Sequence, residues 1–470
     1  MDMQDTFEVV KTESGYVSGT VLGEPGKEVH VFRGIPYAAP PLGDLRWKPP
    51  QPAAPWDDIR ECTVYSRVPP HGPPTTKESM PQEISEDCLY LNIFTPAKKP
   101  GDRLPVMVWL HGGGLTEGDG NRPLYTGLGL PQHGVVQVNV NKRLGVIGLL
   151  AHPLLTEESP NNVSGNYLFL DMLAALKWVQ RNIAAFGGDP GNVTIFGQSG
   201  GGSKVVSLLC SSFAKGLFHR AVIQSGAGLV GAPLKDIEAI GKKLFSILGL
   251  NEKKDPLSAA RELPWEKLID ANMALNKDNS LPKMALMEPM AIDGWFITDT
   301  PLNIFSAEKQ NLVPLMTGST LGELSAWPHS TRNHIQYYQS LLTGNNKAGG
   351  TGYAYIFDLV PATWRKEGCV TSHGMELPYI FGSWKNRYAW EEIFNVATND
   401  KAGAKSEDPG CTEEDGKISE MMSMIWTSFA KTGDPSVGGL VQWPAYDAAT
   451  DPYVYITDHP EVKSGFSGVT

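Results

Sequence analysis

The hydrophobic pattern of the chain switches repeatedly between two periods. Residues 104–110, 134–140, 193–196 and 221–226 are near-continuous runs of apolar and β-branched side chains, the pattern of strands covered on both faces. Between the second and third runs, residues 167–186 place Leu168, Leu170, Met172, Leu173, Leu176, Trp178 and Val179 at helical spacing, and residues 203–209 can wind as a further helix. Upstream, residues 85–94 have an acidic start that feeds a strand; downstream, 313–318 and 352–357 read as strands and 418–431 as a helix. Strands alternating with helices predict an α/β architecture, a large and mostly parallel sheet flanked by helices, with the active groups at its carboxyl edge.

Two stretches break this rhythm. Residues 31–81 are rich in proline, which excludes central strands and long helices, so ordered loop over the scaffold is expected there, with short antiparallel edge strands before it. Residues 230–293 carry amphipathic helical patterns such as 237–250, separated by Asp255-Pro256 and Leu263-Pro264. They are expected to form a helical cap or regulatory insertion over the pocket. With no internal repeat, residues 1–470 are read as a single domain carrying that insertion.

Composition narrows the function classes. A 41% hydrophobic and 19% charged chain is that of a soluble globular protein. The net charge of −11 leaves no electrostatic footprint for nucleic acid and argues against binding anionic membranes. No run approaches the roughly 18 apolar residues of a membrane span. The acidic Met1-Asp2-Met3-Gln4-Asp5 is not followed by the apolar segment of a secretory leader, so a cytoplasmic location is expected. The five cysteines, Cys62, Cys88, Cys210, Cys369 and Cys411, form no CxxC pair and no HExxH occurs, so neither a metal nor a cofactor is expected.

The candidate chemistry centres on Gly197-Gln198-Ser199-Gly200-Gly201, between the strand at 193–196 and the helix at 203–209. A serine on so sharp a strand-to-helix turn sits in a crowded backbone conformation, and the positions two before and two after it must lack a β-carbon. Its hydroxyl then needs a base, and the base an orienting carboxylate. The strand at 104–110 ends in His111-Gly112-Gly113-Gly114, whose bare N–H groups can close on a developing oxyanion. If acid and base follow the serine in that order, four histidines are available: His329, His334, His373 and His459. His373 follows a strand by a short irregular connection, where a loop-borne base has to sit. His329 and His334 are expected on an exposed polar segment and His459 in the tail. Glu323 ends the strand at 313–318, whereas Glu288 and Asp293 precede it.

At this point the chain resembles the type-B carboxylesterases, the cholinesterase-like branch of the α/β hydrolases. The resemblance is carried by Phe32-Arg33-Gly34-Ile35-Pro36-Tyr37-Ala38, Glu86-Asp87-Cys88-Leu89-Tyr90-Leu91-Asn92, His111-Gly112-Gly113-Gly114, Asn182-Ile183-Ala184-Ala185-Phe186-Gly187-Gly188-Asp189-Pro190 and His373-Gly374-Met375-Glu376. It implies Ser199 as nucleophile, Glu323 as acid, His373 as base and the N–H groups of Gly113, Gly114 and Gly200 as oxyanion donors. It also implies that Ser225 supports the acid, that Gln198 and Glu376 stand behind the reacting groups, and that Arg46 with Glu86 and Arg143 with Asp171 are structural ion pairs. The implied reaction is cofactor-free acyl transfer from a small-molecule ester. Hydrolysis of carbamates, amides or a bulky natural ester is an alternative, and a non-catalytic binding protein on the same fold is another, which a fluorophosphonate probe discriminates.

Three departures from the family pattern shape the expectations. Gln198 replaces the glutamate most relatives carry before the nucleophile, which weakens any preference for cationic alcohols. The loop before Cys88 holds no tryptophan of the choline-binding kind, and the family cysteine that pairs with Cys88 would fall near Val68 or Pro69, so Cys88 is expected to be unpaired. Glu323 is followed by Leu324 rather than glycine, and only 49 residues separate it from His373, which predicts a site more open on that side. Neither the natural substrate nor the oligomeric state is legible in the residues.

Overall fold

The computed structural model describes residues 8–72, 83–226, 231–276, 289–323, 328–399 and 402–469. Met1 to Asp5, the later part of the proline-rich stretch, Leu324, and Val230 and residues 277–288 of the expected cap insertion, Glu288 among them, lie outside the described residues. In chain order the first strands are β1 (Val9–Lys11), β2 (Tyr16–Ser18), β3 (Thr20–Leu22), β4 (Val29–Pro36), β5 (Arg60–Glu61) and β6 (Tyr90–Thr95). The middle of the chain supplies β7 (Leu104–Leu110), β8 (Val136–Val140), β9 (Gly188–Gln198), β10 (Arg220–Gln224), β11 (Gly231–Pro233) and β12 (Met290–Ile292). The remainder are β13 (Leu315–Thr320), β14 (Gly352–Phe357), β15 (Pro452–Ile456) and β16 (Glu461–Ser464).

Eleven of these strands make one sheet in the order β16-β15-β14-β13-β10-β9-β7-β8-β6-β4-β3. The seven from β15 to β8 run parallel, while β6, β4 and β3 on one side and β16 on the other add antiparallel edges. The strict alternation of a strand sorts its side chains to two faces. Val106, Val108 and Leu110 of β7 join one core with helices Tyr167–Asn182 and Gly200–Cys210, whereas Met107 and Trp109 join the other with helices Arg387–Asn399 and Glu413–Thr432. Both faces are therefore covered, which is why the central strands read as unbroken apolar runs.

The expected boundaries shift in identifiable ways. The helix expected over 167–186 ends as α-helix at Asn182, continues as a 3₁₀ turn over Ile183–Phe186, and is closed by Gly187 at φ +77°. Several elements, among them helices Pro328–Lys347 and Arg387–Asn399 and strand β15, were not anticipated. Helix Pro328–Lys347 is polar overall, yet Ile335, Tyr338, Leu341 and Leu342 share one buried face. β15, Pro-Tyr-Val-Tyr-Ile, pairs parallel to β14 and completes the parallel block. In the region expected to be the cap, Leu234–Ile247, Pro256–Glu262 and Trp265–Asn276 are helices. Asp255 starts the second by accepting from Ser258 N at 2.9 Å, with Pro256 in the first turn. Leu244, Phe245, Leu268 and Leu275 from this region pack on Trp47, Ile147 and Tyr167.

Both ion pairs implied by the resemblance are present. Asp171 accepts from Arg143 Nε at 2.8 Å, Nη2 at 2.6 Å and its backbone N at 3.1 Å, with both side chains fully buried. Glu86 is gripped by the Arg46 guanidinium, Nε to Oε1 at 2.8 Å.

Candidate active site

β9 delivers Gln198 to the carboxyl edge of the sheet, and helix Gly200–Cys210 begins two residues later. Ser199 is caught between them at φ 59°, ψ −128°, a conformation that L-residues avoid and that surrounding structure has to impose. The flanking glycines explain how. A β-carbon on Gly197 would meet Gly201, and one on Gly201 would run into Leu110 O at the end of β7. Gly200 lies so close to Gly114 O that it too admits no side chain. The turn is anchored by Ser199 N donating to Gln224 O at 2.8 Å.

Glu323 and His373 arrive on two loops that are fastened together. Gly322 N donates to Thr371 Oγ1 at 2.9 Å, and the backbones of Gly322 and Thr371 touch so closely that a β-carbon at 322 is impossible. Thr371 in turn donates to Asp358 Oδ1 at 3.3 Å, and Asp358 is also held by the Tyr455 hydroxyl from β15. The consequence is a 2.6 Å contact between His373 Nδ1 and Glu323 Oε1. Burial pushes the Glu323 carboxyl up, but the His373 charge and hydrogen bond and the nearby Ser225 hydroxyl outweigh it and leave the group below the usual carboxylate range. Ser225 Oγ stops short of a well-formed hydrogen bond with this carboxylate.

The other ring nitrogen, His373 Nε2, is met by the Gln198 side-chain amide, Nε2 to Nε2 at 3.1 Å. Since an amide nitrogen can only donate, His373 Nε2 is the acceptor and Nδ1 carries the proton toward Glu323. No hydrogen bond joins Ser199 Oγ to His373 among the described contacts. Ser199 is nonetheless the next residue to Gln198, and the Gln198 side chain lies between Gly112 and Gly374.

The glycine loop after β7 faces the same point. Gly113 and Gly114 have φ of +80° and +59°, values that glycine tolerates without strain. Gly112 approaches both the Gln198 backbone and Ser199 Cβ. None of the N–H groups of Gly113, Gly114 and Gly200 takes a backbone acceptor among the described residues. Three amides with no backbone acceptor thus lie on the segments that flank a serine held in a strained turn, and such amides are available to an anion.

A family model described as the carboxylesterase family matches residues 6–347 and 329–468. The para-nitrobenzyl esterase of Bacillus subtilis (strain 168) is 33% identical over 505 aligned positions, covering 97% of this chain and 97% of its own. The chain belongs to the carboxylesterase family. Fumonisin B1 esterase of Sphingopyxis macrogoltabida is 33% identical over 92% of this chain and 84% of its own. Among solved structures, a thermophilic PNB esterase matches with a TM-score of 0.81 at 30% identity and covers 98% of either chain. Like these relatives, the chain is a serine carboxylesterase, hydrolysing carboxylic esters on an α/β-hydrolase fold.

Around the reacting groups of this carboxylesterase, three further residues matter. Glu376, three positions after His373, is fully buried; its Oε1 accepts from Gln224 Nε2 at 3.2 Å and its Oε2 has no partner. Burial, then the Glu323 charge, push its pKa up to about 7, so in acidic solution it keeps a proton. His334 corrects an expectation. It lies on helix Pro328–Lys347, not on an exposed polar segment, and is half-buried near the dyad, where burial lowers its pKa against the Glu323 charge. The histidine at 459 is exposed between β15 and β16. Lys204 went unnoticed in the sequence. It sits one turn into helix Gly200–Cys210, is fully buried, and reaches the carbonyls of the glycine loop; burial brings its pKa down to about 7, with Glu117 opposing. The sequence signal was a lysine inside an otherwise apolar and small-residue helix. Among the described residues there is no group of side chains arranged to hold a metal, and no helix long and apolar enough to cross a membrane.

Proposed function

We propose that this esterase works by two-step acyl transfer, with Ser199 as nucleophile, His373 as base, Glu323 as acid and the Gly113, Gly114 and Gly200 amides as oxyanion donors, on small esters. The observation that supports the reading is the His373–Glu323 contact of 2.6 Å, in which an Nδ1–H donates to the Glu323 carboxylate and Nε2 is left as a lone-pair acceptor beside the Gln198-Ser199 turn. In the resting geometry Gln198 occupies that lone pair. Substrate entry displaces the amide and the Ser199 hydroxyl takes its place, a tightening commonly seen between free enzyme and Michaelis complex.

The reaction then runs in two halves. His373 Nε2 accepts the Ser199 proton as Oγ adds to the ester carbonyl, and the glycine amides take the developing negative charge. His373 returns the proton to the leaving alcohol. Water, deprotonated by the same nitrogen, releases the acid from the acyl-enzyme. Glu323 keeps the imidazole in the working tautomer and stabilises the imidazolium formed in each half. Ser225 and Glu376 back the dyad, and helices Leu234–Ile247, Pro256–Glu262 and Trp265–Asn276 form the cap that bounds the entrance.

Turnover of p-nitrophenyl acetate by Ser199→Ala tests the assignment. The expected loss is at least about a thousandfold in kcat. A rate within tenfold of the unmodified protein removes Ser199 from the role.

A further inference from the structure

We propose that Lys204 is a positioning residue for the oxyanion pocket: from the nucleophile helix its ammonium holds the carbonyls of the loop 111–114 and so aims that loop's N–H groups at the reacting oxygen. The proposal rests on the assignment of Ser199 and the glycine loop made above.

A loop of three glycines has no side chains to define which way its peptides face, and glycine populates both signs of φ almost equally. Something outside the loop has to set the orientation. Lys204 Nζ donates to His111 O at 3.0 Å and to Gly114 O at 2.8 Å, with Gly112 O at 3.5 Å. An ammonium has three donors, so the three carbonyls match its capacity.

In a trans peptide the C=O and the following N–H point in opposite directions. Turning Gly112 O toward Lys204, with His111 Nδ1 also on it at 3.0 Å, therefore turns Gly113 N–H to the opposite side. The next peptide is fixed from the other flank, since Gly113 O accepts from Glu117 N at 3.0 Å, which directs Gly114 N–H away from Glu117. Lys204 is fully buried, so its donors are directed to these carbonyls and not to bulk solvent. Because Lys204 lies on the helix that starts at Gly200, one element carries the nucleophile turn, one oxyanion amide and the clamp on a second, the Gly113 N–H. A shift of that helix moves all of them together.

Lys204→Met removes the donors and keeps the chain length. The expected result is a fall of about a hundredfold in kcat for p-nitrophenyl acetate, with KM changed less than about threefold, and a parallel loss of affinity for phenylboronic acid, whose adduct with Ser199 places an oxygen anion in the pocket. Lys204→Gln, which keeps an N–H donor, recovers part of both. A general loss of stability also lowers apparent kcat at unchanged KM, so kcat is expressed per active site titrated with a fluorophosphonate probe. The dissociation constant for phenylboronic acid, which does not depend on the folded fraction, is the deciding readout. The probe is run on the same samples. If it labels Ser199 in the unmodified protein while Lys204→Met keeps kcat within about threefold, the Lys204 proposal alone falls. An unmodified protein that resists the probe overturns the Ser199 assignment instead. If neither variant folds, Lys204 is a stability element and the proposal is wrong.

Discussion

Replacing Glu376 by glutamine exposes how the site keeps two neighbouring carboxyls in different states. Glu376 is raised from 4.5 to about 7, while Glu323 lies below its ordinary value beside His373. Between those two values of the Glu376 carboxyl the unfolded chain has released a proton that the folded chain still holds. The folded state then binds more protons, and stability falls as pH rises through that window. At about 1.4 kcal/mol for each pH unit, the rise to about 7 corresponds to about 3 kcal/mol lost once the pH is above both values. In Glu376→Gln the side chain has no proton to release, and the variant escapes this loss. Equilibrium urea unfolding of both proteins between about pH 5 and pH 8 should therefore show the variant gaining about 2–3 kcal/mol on its parent across the range. Its absolute offset is set by one changed hydrogen bond to Gln224 and is small in comparison. If the two stability curves run parallel within about 0.5 kcal/mol, Glu376 is not the proton-retaining group, and the account of two carboxyls held in opposite states is wrong.

Other perturbations have equally definite outcomes. Asp171→Asn leaves the fully buried Arg143 guanidinium without its counter-charge and should cost about 3–5 kcal/mol, read as a lowered urea midpoint; a loss under about 1 kcal/mol would show the pair to be incidental. All five cysteines are free thiols, four of them buried. Titration with a thiol reagent in denaturant without reductant should count five per chain, and fewer than three would contradict the unpaired Cys88. In the folded protein burial keeps Cys62, Cys88 and Cys210 well above their ordinary pKa, so those three should react slowly.

What could be read from residues alone follows the kind of signal involved. The parallel strands were legible because burial on both faces leaves an unbroken apolar run, and the nucleophile turn was legible because steric exclusion at 197 and 201 demands glycine. Glu323 and His373 were reachable through chain order. Helix Pro328–Lys347 was not, because only four of its residues carry the buried face and the rest are polar. His334 was misplaced with it. Lys204 was passed over for another reason: its partners are backbone carbonyls, which have no sequence signature, so only its place in an apolar helix marked it. The grip of Gln198 on His373 depends on a side-chain rotamer, and substrate preference depends on walls built from loops with no periodic pattern.

The fastening of Gly322 to Thr371 divides the catalytic groups into two assemblies. Glu323 and His373, the proposed acid and base, lie on one, tied through Asp358 to the far strands β14 and β15, while Ser199 and the glycine amides, the proposed nucleophile and anion cradle, lie on the other with β9 and its helix. Proton transfer inside the first assembly is thus insulated from adjustments in the second. The seam is crossed by the Gln198 carboxamide on His373, by Gln224 on Glu376 and by the pairing of β10 with β13, so tuning this enzyme for a new ester means altering the fit of the two pieces along it.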